Sequence, residues 1–396
     1  MRTEARQDIR ALALLFLKLG TIAFGGPAAH IAMMEDEVVR RRGWLTHEEF
    51  LDYLGATNLI PGPNSTELAI HIGRERAGWP GLVVAGACFI LPAMLIVGAI
   101  ACAYVRFGTL PAAVGILYGV KPVVIAVVVQ ALLGLGRTAL KTRGLIVLAV
   151  AATVAAMVGM NELVILFGAG AVAVVVRAFG GARRSQSSGA AAVVGGTATK
   201  RAGAAALVAG SMTTQAGSAL VAPFGLWPMF AVFLKIGAVL FGSGYVLLAF
   251  LRADFVERLH WLTERQLLDA VAVGQVTPGP VFTTATFIGY VLGGAPGAVV
   301  ATIGIFLPAF VFVALSGVLL PRIRRSPVTR AALDGVNVAS LALMAVVTAQ
   351  LARAAVVDWT TLACALIAAV LLFRWRVNSA WLVVGGAIVG TAARIL

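Results

Sequence analysis

The sequence predicts an all-α polytopic membrane protein built from two six-helix repeats of inverted topology. A linker and one extra helix join the repeats, which gives about 13 transmembrane helices. Three observations predict this fold class: an apolar composition, an internal repeat, and basic residues that change place between equivalent loops. Of the 396 residues, 60% are hydrophobic and 12% are charged, with a mean hydropathy of +0.96, whereas charged residues make up about 25% of a typical soluble domain.

Apolar segments recur along the chain, six in each half, and most have the length that crosses a bilayer as a helix, about 20 residues. Those of the first half are 11–33, 47–71, 79–104, 112–135, 144–160 and 162–178. Those of the second half are 228–250, 266–290, 297–320, 332–352, 357–373 and 378–394. We expect an N-terminal repeat over 1–178, a cytoplasmic linker with a linking helix over 179–227, and a C-terminal repeat over 228–396.

The two halves repeat each other in sequence. FLKLGTIAFGG at 16–26 matches FLKIGAVLFGS at 233–243, an offset of 217 residues. This offset pairs Lys18 with Lys235, Asp52 with Asp269, and Pro61-Gly62-Pro63 with Pro278-Gly279-Pro280. It then becomes 216 and pairs Gly119 with Gly335. Biased composition does not align lysine, aspartate and two such triplets in one register, so the chain contains a duplication.

Equivalent loops of the two halves differ in positive charge. The basic loop of the first half follows segment four and carries Arg137, Lys141 and Arg143. That of the second half follows segment three and carries Arg322, Arg324, Arg325 and Arg330. Because cytoplasmic loops are enriched in Lys and Arg, the halves are expected to be inverted. Inversion requires one more crossing, at 202–222; the alternative is a parallel twelve-helix duplication in which 202–222 is a linker.

Glycine and proline interrupt the first two segments of each half at matching positions. In lipid, such interruptions are tolerated only where the freed backbone groups meet protein, water or a ligand. A helix that restarts after a break also offers N–H groups and a positive dipole end to an anion. Matching interruptions in inverted repeats indicate the substrate site of a transporter. The residues expected in this site are Gly25, Gly26, Pro61, Gly62, Pro63, Gly242, Ser243, Pro278, Gly279 and Pro280.

Hydroxyl and amide side chains flank both Pro-Gly-Pro triplets and are suited to donate hydrogen bonds to an oxyanion. They are Asn58, Asn64, Ser65, Thr66, Gln275, Thr283 and Thr284. The alternative is that Ser and Thr bond to the backbone of their own helix. Lys18 and Lys235 lie at equivalent positions inside apolar segments, where an ionised side chain costs at least a few kcal/mol and marks function. Together they could offset a dianion, or each could snorkel to the interface.

Two titratable residues after the first triplet are candidates for proton coupling. Glu67 is the carboxylate placed deepest in an apolar segment, and His71 lies one helical turn further on. Lys121, whose counterpart in the repeat is Asn337, is a secondary candidate. The acids Glu35, Asp36 and Glu37 are balanced by three following arginines, so we expect them to form a solvated face.

Composition excludes several other classes of function. The three cysteines, Cys88, Cys102 and Cys364, lie in apolar segments without metal-ligand spacing, so no metal, disulfide or cofactor is expected. The formal net charge of +14 comes from loops between apolar segments, so nucleic acid is not an expected partner. No Walker motif occurs and the four histidines do not cluster in sequence, so no enzyme is expected.

The repeated patterns FGGP…W-L…PGPN and TPGPVFTTATFIGY resemble the chromate ion transporter family in its long, two-domain form, over residues 11–394. The resemblance implies a multi-pass protein of the bacterial inner membrane that exports chromate, driven by a proton or ion gradient, and confers chromate resistance. The alternative is a sulfate or molybdate transporter working in uptake, because sulfate has the same shape and charge. The expected partners are chromate or sulfate as substrate, the lipid bilayer, and a second copy of the chain in a homodimer.

Overall fold

The computed structural model describes residues 2–24, 26–108, 110–187, 224–241, 246–324, 326–375 and 377–395. Regular structure in these ranges is helical throughout. The first half contains α1 (Arg2–Ile22), α2 (Gly26–Glu35), α3 (His47–Thr57), α4 (Asn64–Phe107), α5 (Pro111–Ala139), α6 (Arg143–Met157) and α7 (Glu162–Ser187). The second contains α8 (Leu226–Val239), α9 (Leu247–Leu251), α10 (Glu264–Val276), α11 (Thr284–Arg324), α12 (Pro327–Ala355), α13 (Trp359–Arg374) and α14 (Ser379–Ile395). Short π-helical turns cover Asp36–Arg41 and Arg252–Arg258.

Some predicted features fall outside the described residues. They are the linking helix over 202–222 and the site candidates Gly25, Gly242 and Ser243. The helix α7 extends to Ser187, beyond the predicted end of its segment at 178.

The two longest helices each contain a reversal of the chain. In α4 it lies at Ala77 and Gly78, where Gly78 has φ 61°, and in α11 the equivalent Gly294 has φ 62°. Only glycine adopts such a φ at no steric cost. Gly73 and Gly81 would lie about 12 Å apart along a straight helix, yet a side chain on either would overlap the carbonyl oxygen of the other. Each long helix is therefore a pair of antiparallel arms, as the gap between the predicted segments 47–71 and 79–104 implies.

The first predicted segment of the first half is a hairpin rather than one straight helix. Lys18 Nζ lies 2.7 Å from Glu37 Oε1, whereas 19 residues of straight helix would separate them by about 28 Å. The chain therefore reverses between α1 and α2, so that the end of α2 returns alongside α1.

The second predicted segment is a hairpin as well. The ring of Tyr53 in α3 stacks on His71 in α4, with centroids 5.4 Å apart, and its hydroxyl donates to Glu75 at 2.5 Å. The chain thus reverses at the Pro-Gly-Pro triplet. Arg76, at the end of this hairpin, pairs with Asp8 near the N-terminus at 2.7 Å. Both hairpins consequently begin and end at the same end of the molecule.

The second half repeats these features. Lys235 pairs with Asp254 across the reversal between α8 and α9, at 2.5 Å. Phe224, before α8, packs its ring on Trp261, before α10, with centroids 5.3 Å apart. Thr263 caps α10 through a reciprocal capping box, as Thr46 caps α3. Equivalent sequences therefore fold into equivalent hairpins.

Contacts between the halves are reciprocal. The helix α5 packs against α13 and α14, and its counterpart α12 packs against α6 and α7. The counterparts α4 and α11 pack against each other, as do α5 and α12. Small residues allow the closest crossings: a side chain at Gly119 would overlap Gly386, and one at Gly335 would overlap Ala169. An approximate twofold rotation between the halves produces such exchanged contacts.

Length and apolarity fit a membrane-embedded bundle. Four helical stretches are long and apolar enough to cross a membrane: Asn64–Phe107, Ala113–Ala139, Val281–Ser316 and Val328–Ala355. Shorter apolar helices accompany them over Arg143–Met157, Leu226–Val239, Trp359–Arg374 and Ser379–Ala393. Large apolar side chains face outward, among them Leu95, Val147 and Ile388, each more than half exposed. The described residues form only helices as regular structure, and the chain is a polytopic membrane protein.

Candidate functional site

The tips of the hairpins from the two halves meet. The Gly62 N–H donates to the carbonyl oxygen of Leu240 at 2.7 Å, and the Gly279 N–H donates to that of Ala23 at 3.0 Å. Leu240 and Ala23 lie at the reversals after α8 and α1. Each Pro-Gly-Pro tip thus binds the interrupted first hairpin of the opposite half. The glycine amides take part in this crossing, so they are not the free anion donors that the sequence predicts at a restarting helix.

Both tip glycines have positive φ and close neighbours. Gly62 has φ 137°, and a side chain there would overlap the Glu67 carboxylate. Gly279 has φ 89°, and its Cβ would lie 2.6 Å from the Cβ of Ala93. These positions need glycine for conformation and for space at once. The flanking prolines Pro63, Pro278 and Pro280 are buried and Pro61 is half-buried.

A polar cleft reaches the first tip. Asn64 Nδ2 donates to Asn58 Oδ1 at 2.8 Å, so two predicted site residues lie together. The cleft has a volume of about 360 Å³ and extends to Val246, after the break in the opposite half. Its polar lining consists of Asn58, Asn64, Thr138, Lys141, Asp334, Asn337 and Ser340. An adjoining cleft shares Asn58, Asp334 and Asn337 and leads outward past Asp52 and Arg330. We call the two together the asparagine cleft.

The asparagine cleft offers groups that suit an oxyanion. Lys141 supplies a cation, and the side chains of Asn64 and Asn337 supply amide N–H donors. The Ser340 hydroxyl is buried and has no hydrogen-bond partner among the described residues. Asp334 adds one carboxylate to the lining, so the cleft is polar and of mixed charge.

The other predicted hydroxyl donors divide into two groups. Thr283 and Thr284 donate to the backbone carbonyls of Pro280 and Val281, which is the alternative the sequence leaves open. Thr66 is fully buried, and its hydroxyl has no partner among the described residues. Separately, Gln275 is half-buried near the end of α10, and Gly26, with φ 75°, begins α2.

Ser65 belongs to a chain of contacts through a histidine that sequence reasoning missed. His30 Nδ1 lies 3.3 Å from Ser65 Oγ, and His30 Nε2 lies 3.0 Å from the carbonyl oxygen of Ala23. That carbonyl also accepts from Gly279, so His30 joins the start of α4 to the crossing of the two halves. The sequence does contain a signal for His30: it is a polar residue inside an apolar segment, and its counterpart in the second half is Leu247.

Glu67 lies beside the first tip. Its side chain is 0% exposed, and neither carboxylate oxygen has a hydrogen-bond partner in the described part of the chain. His71, the second coupling candidate, is buried one turn along the same arm and stacked on Tyr53. A buried carboxylate without a partner is costly to keep ionised, so Glu67 is chemically suited to exchange a proton.

The two repeated lysines form equivalent ion pairs. Lys18 pairs with Glu37, and Lys235 pairs with Asp254 at the counterpart position. The expectation of a solvated acidic face is wrong for Glu37, which is only 7% exposed because Lys18 and Arg42 both reach it. The hydrogen bond from Lys18 lowers the pKa of Glu37, with burial opposing and Arg42 assisting.

A further ion pair, unlike the two above, joins the two halves. Lys121 Nζ lies 2.8 Å from Asp269 Oδ1, and the Tyr104 hydroxyl donates to Asp269 Oδ2 at 2.9 Å. The sequence indicates Lys121 as a candidate and pairs Asp269 with Asp52 through the repeat. It does not predict that Lys121 contacts Asp269. Only the fold places α5 against α10.

Helical repeats whose interrupted hairpins meet tip to tip beside a polar cleft define a multi-pass membrane protein of the transporter class. The family described as Chromate transporter matches residues 10–175 and 227–391. The chain therefore belongs to the chromate transporter family.

Relatives extend this similarity over most of the chain. The chromate transport protein of Cupriavidus metallidurans is 32% identical over 407 residues, covering 99% of this chain and 95% of that protein. That of Pseudomonas aeruginosa is 33% identical over 340 residues, covering 85% and 80%. The probable chromate transport protein of Synechococcus elongatus is 29% identical over 373 residues, covering 94% and 91%. No solved structure matches the chain.

Proposed function

We propose that the protein is a secondary active transporter that exports chromate across the bacterial inner membrane and so confers chromate resistance. The observation that carries the proposal is the asparagine cleft, which leads from Arg330 past Asn58 to the crossing of the hairpin tips. Relatives named for chromate transport favour chromate over sulfate or molybdate as the substrate. A cleft that ends at interrupted helices is the arrangement expected for a site with alternating access.

In this proposal the two halves are inverted in the membrane. Lys141 follows segment four of the first half and Arg330 follows segment three of the second, yet both line the asparagine cleft. In a parallel duplication these loops would lie on opposite sides. Two hairpins in each half enter and leave the membrane on one side, and the remaining helices cross it. The inversion still requires a crossing at 202–222 between the halves.

Substrate oxygens would bind amide and hydroxyl donors at the inner end of the cleft. Asn58, Asn64 and Ser340 supply these donors, and Lys141 provides a counter-charge. Thr66 and Ser65 follow directly in the first turn of α4, where the helix dipole favours an anion. Lys18 and Lys235 would contribute positive charge to substrate binding only when their ion pairs with Glu37 and Asp254 break. The tip residues Pro61–Pro63 and Pro278–Pro280 would hold the crossing, with Gln275, Thr283 and Thr284 on its second side.

Glu67 would couple transport to the proton gradient. Its carboxylate lies against Gly62, whose N–H binds Leu240 of the other half. A change from neutral to charged Glu67 therefore acts directly on the crossing between the halves. His71 lies one turn away on the same arm and would pass the proton on.

Everted membrane vesicles test the function. With a proton gradient imposed, vesicles that contain the protein are expected to accumulate radiolabelled chromate, and excess sulfate is expected to compete weakly. Vesicles with the Asn64→Ala variant should accumulate much less. The matched control is Asn378→Ala, because Asn378 caps α14 far along the chain from the tips. Export would be refuted if the imposed gradient did not increase chromate accumulation and if vesicles with the protein accumulated no more chromate than empty-vector vesicles.

A further inference from the structure

The asparagine cleft has a counterpart on the other half. A cleft of about 360 Å³ is lined by Val114, Tyr118, Lys121, Glu264, Arg265, Leu268, Ala354, Ala355 and Val357. We call it the lysine cleft. Through the repeat, Tyr118 and Lys121 correspond to Asp334 and Asn337, which line the asparagine cleft. The two clefts are therefore related by the same approximate twofold rotation as the helices.

Lys121 lines the lysine cleft, and its ion-pair partner is buried. Its partner Asp269 is 1% exposed, and the Lys121 side chain is 11% exposed. Tyr104 covers the second carboxylate oxygen of Asp269. The three side chains come from α5, α10 and the long arm of α4, so the contact ties elements of both halves together.

In the asparagine cleft an acid stands at the position equivalent to Asp269, and an asparagine stands at the position equivalent to Lys121. Asp52, the counterpart of Asp269, is exposed, and Asn337 takes the place of Lys121. The counterpart of Tyr104 is Leu320, which has no hydroxyl to donate. The asparagine cleft reaches Asn58 and Asn64, whereas Asp269, the partner of Lys121, is buried.

We propose that Lys121, Asp269 and Tyr104 form the gate that closes one entrance to the transport pathway. The proposal rests on the proposed function, because a gate has meaning only in alternating access. A buried ion pair is stable as a complete pair and unstable when one partner is removed. Opening the lysine cleft hydrates both charges, which makes the pair an element with two discrete states. A dianion that reaches Lys121 from the tips competes with Asp269 for the ammonium group and so favours the open state.

Cysteine accessibility tests the gate without any substrate. In a chain with Cys88, Cys102 and Cys364 replaced by alanine, a single cysteine is placed at Gln275, which lies between Asp269 and the second tip. A membrane-impermeant thiol reagent is added from each side in turn to right-side-out and everted vesicles. Neutralising the gate with Asp269→Asn or Lys121→Gln should raise the labelling rate from one side roughly tenfold. The repeat-matched control Asp52→Asn should leave it unchanged.

A gain-of-function variant tests the gate even if the Asp269→Asn and Lys121→Gln proteins fail to fold. Asn337→Lys places an ammonium group in the asparagine cleft at the position equivalent to Lys121. It should slow the labelling of a cysteine at Asn58, and adding Asp52→Asn should restore the rate. Labelling at Asn58 and Gln275 that none of these variants changes would overturn the gate. Because no chromate is used, a working gate in a protein that fails to transport chromate would refute only the proposed function.

Discussion

At the scale of single residues, the crossing of the two halves depends on glycines that serve as hydrogen-bond donors. Gly62 and Gly279 each place a backbone N–H on a carbonyl of the opposite half, with φ values of 137° and 89°. Their place in a Pro-Gly-Pro triplet is evident from the sequence. Their partners, Leu240 and Ala23, are not, because a contact between halves depends on how the hairpins fold back.

Replacing a tip glycine should loosen the crossing. Gly279→Ala would bring a methyl group to 2.6 Å from the Cβ of Ala93 and force a strained φ, at a cost of about 1–3 kcal/mol or more. We expect a lower midpoint of thermal unfolding in detergent and weakened chromate transport. The control is Gly144→Ala in α6, where the added methyl group meets open space. Equal unfolding midpoints for the two variants would contradict the role given to the tip.

Glu67 should govern coupling and not binding. Glu67→Gln keeps the shape of the side chain but cannot exchange a proton, so we expect proton-driven chromate uptake to fall at least about tenfold. Exchange of chromate for chromate across the membrane should continue. Glu75→Gln serves as the matched control, since Glu75 lies two turns along the same arm and is exposed. Proton-driven uptake that is unchanged in Glu67→Gln would exclude Glu67 as the coupling group.

At the scale of helices and hairpins, the sequence predicts the boundary at 71–79 but not the reversal of the chain inside the first apolar segment. The gap between 71 and 79 coincides with the reversal at Ala77 and Gly78, because glycine and a following proline mark it. The reversal after α1 was missed, since an apolar stretch of 23 residues fits a single crossing as well as a hairpin. The ion pair of Lys18 with Glu37, which reveals the hairpin, joins residues that sequence analysis assigned to different roles.

Close contact between the arms of α4 should not tolerate a side chain. Gly73→Ala places a methyl group against the carbonyl oxygen of Gly81, where backbone must move. We expect a loss of about 2 kcal/mol or more in the free energy of unfolding. Gly98→Ala in the long arm of the same helix meets nothing and should be neutral or mildly stabilising. Equal free energies for the two variants, measured by denaturant unfolding in micelles, would contradict the packed hairpin.

At the scale of the whole molecule, the duplication predicts which surfaces are equivalent. The repeat offset pairs part of the lining of the asparagine cleft with part of the lining of the lysine cleft, and exchanged helix contacts follow the same rule. The sequence could therefore indicate Asn58 and Asn64, which line the asparagine cleft. It could not indicate Ser340 or Asp334, because they approach the tip only through packing of α12 against the other half.

In the proposed inverted arrangement, the two termini lie on opposite sides of the membrane. Because the basic loops at Lys141 and Arg330 share one cleft, we expect the N-terminus on their cytoplasmic side and the C-terminus outside. Reporter fusions at each terminus check this, with a fusion after Lys141 as the cytoplasmic reference. Two cytoplasmic termini would instead fit the parallel duplication.

Equilibrium binding tests the central claim, that the crossing of interrupted hairpins forms an oxyanion site, most directly. Radiolabelled chromate is titrated onto purified protein in detergent, with Asn58→Ala, Asn64→Ala and the capping control Asn378→Ala in parallel. Loss of one hydrogen bond to a charged ligand should weaken binding by about 1.5–3 kcal/mol, roughly tenfold or more, in the first two variants. The control should bind as the wild type does. Saturable binding with the same affinity in all four proteins would place the site elsewhere and contradict the account.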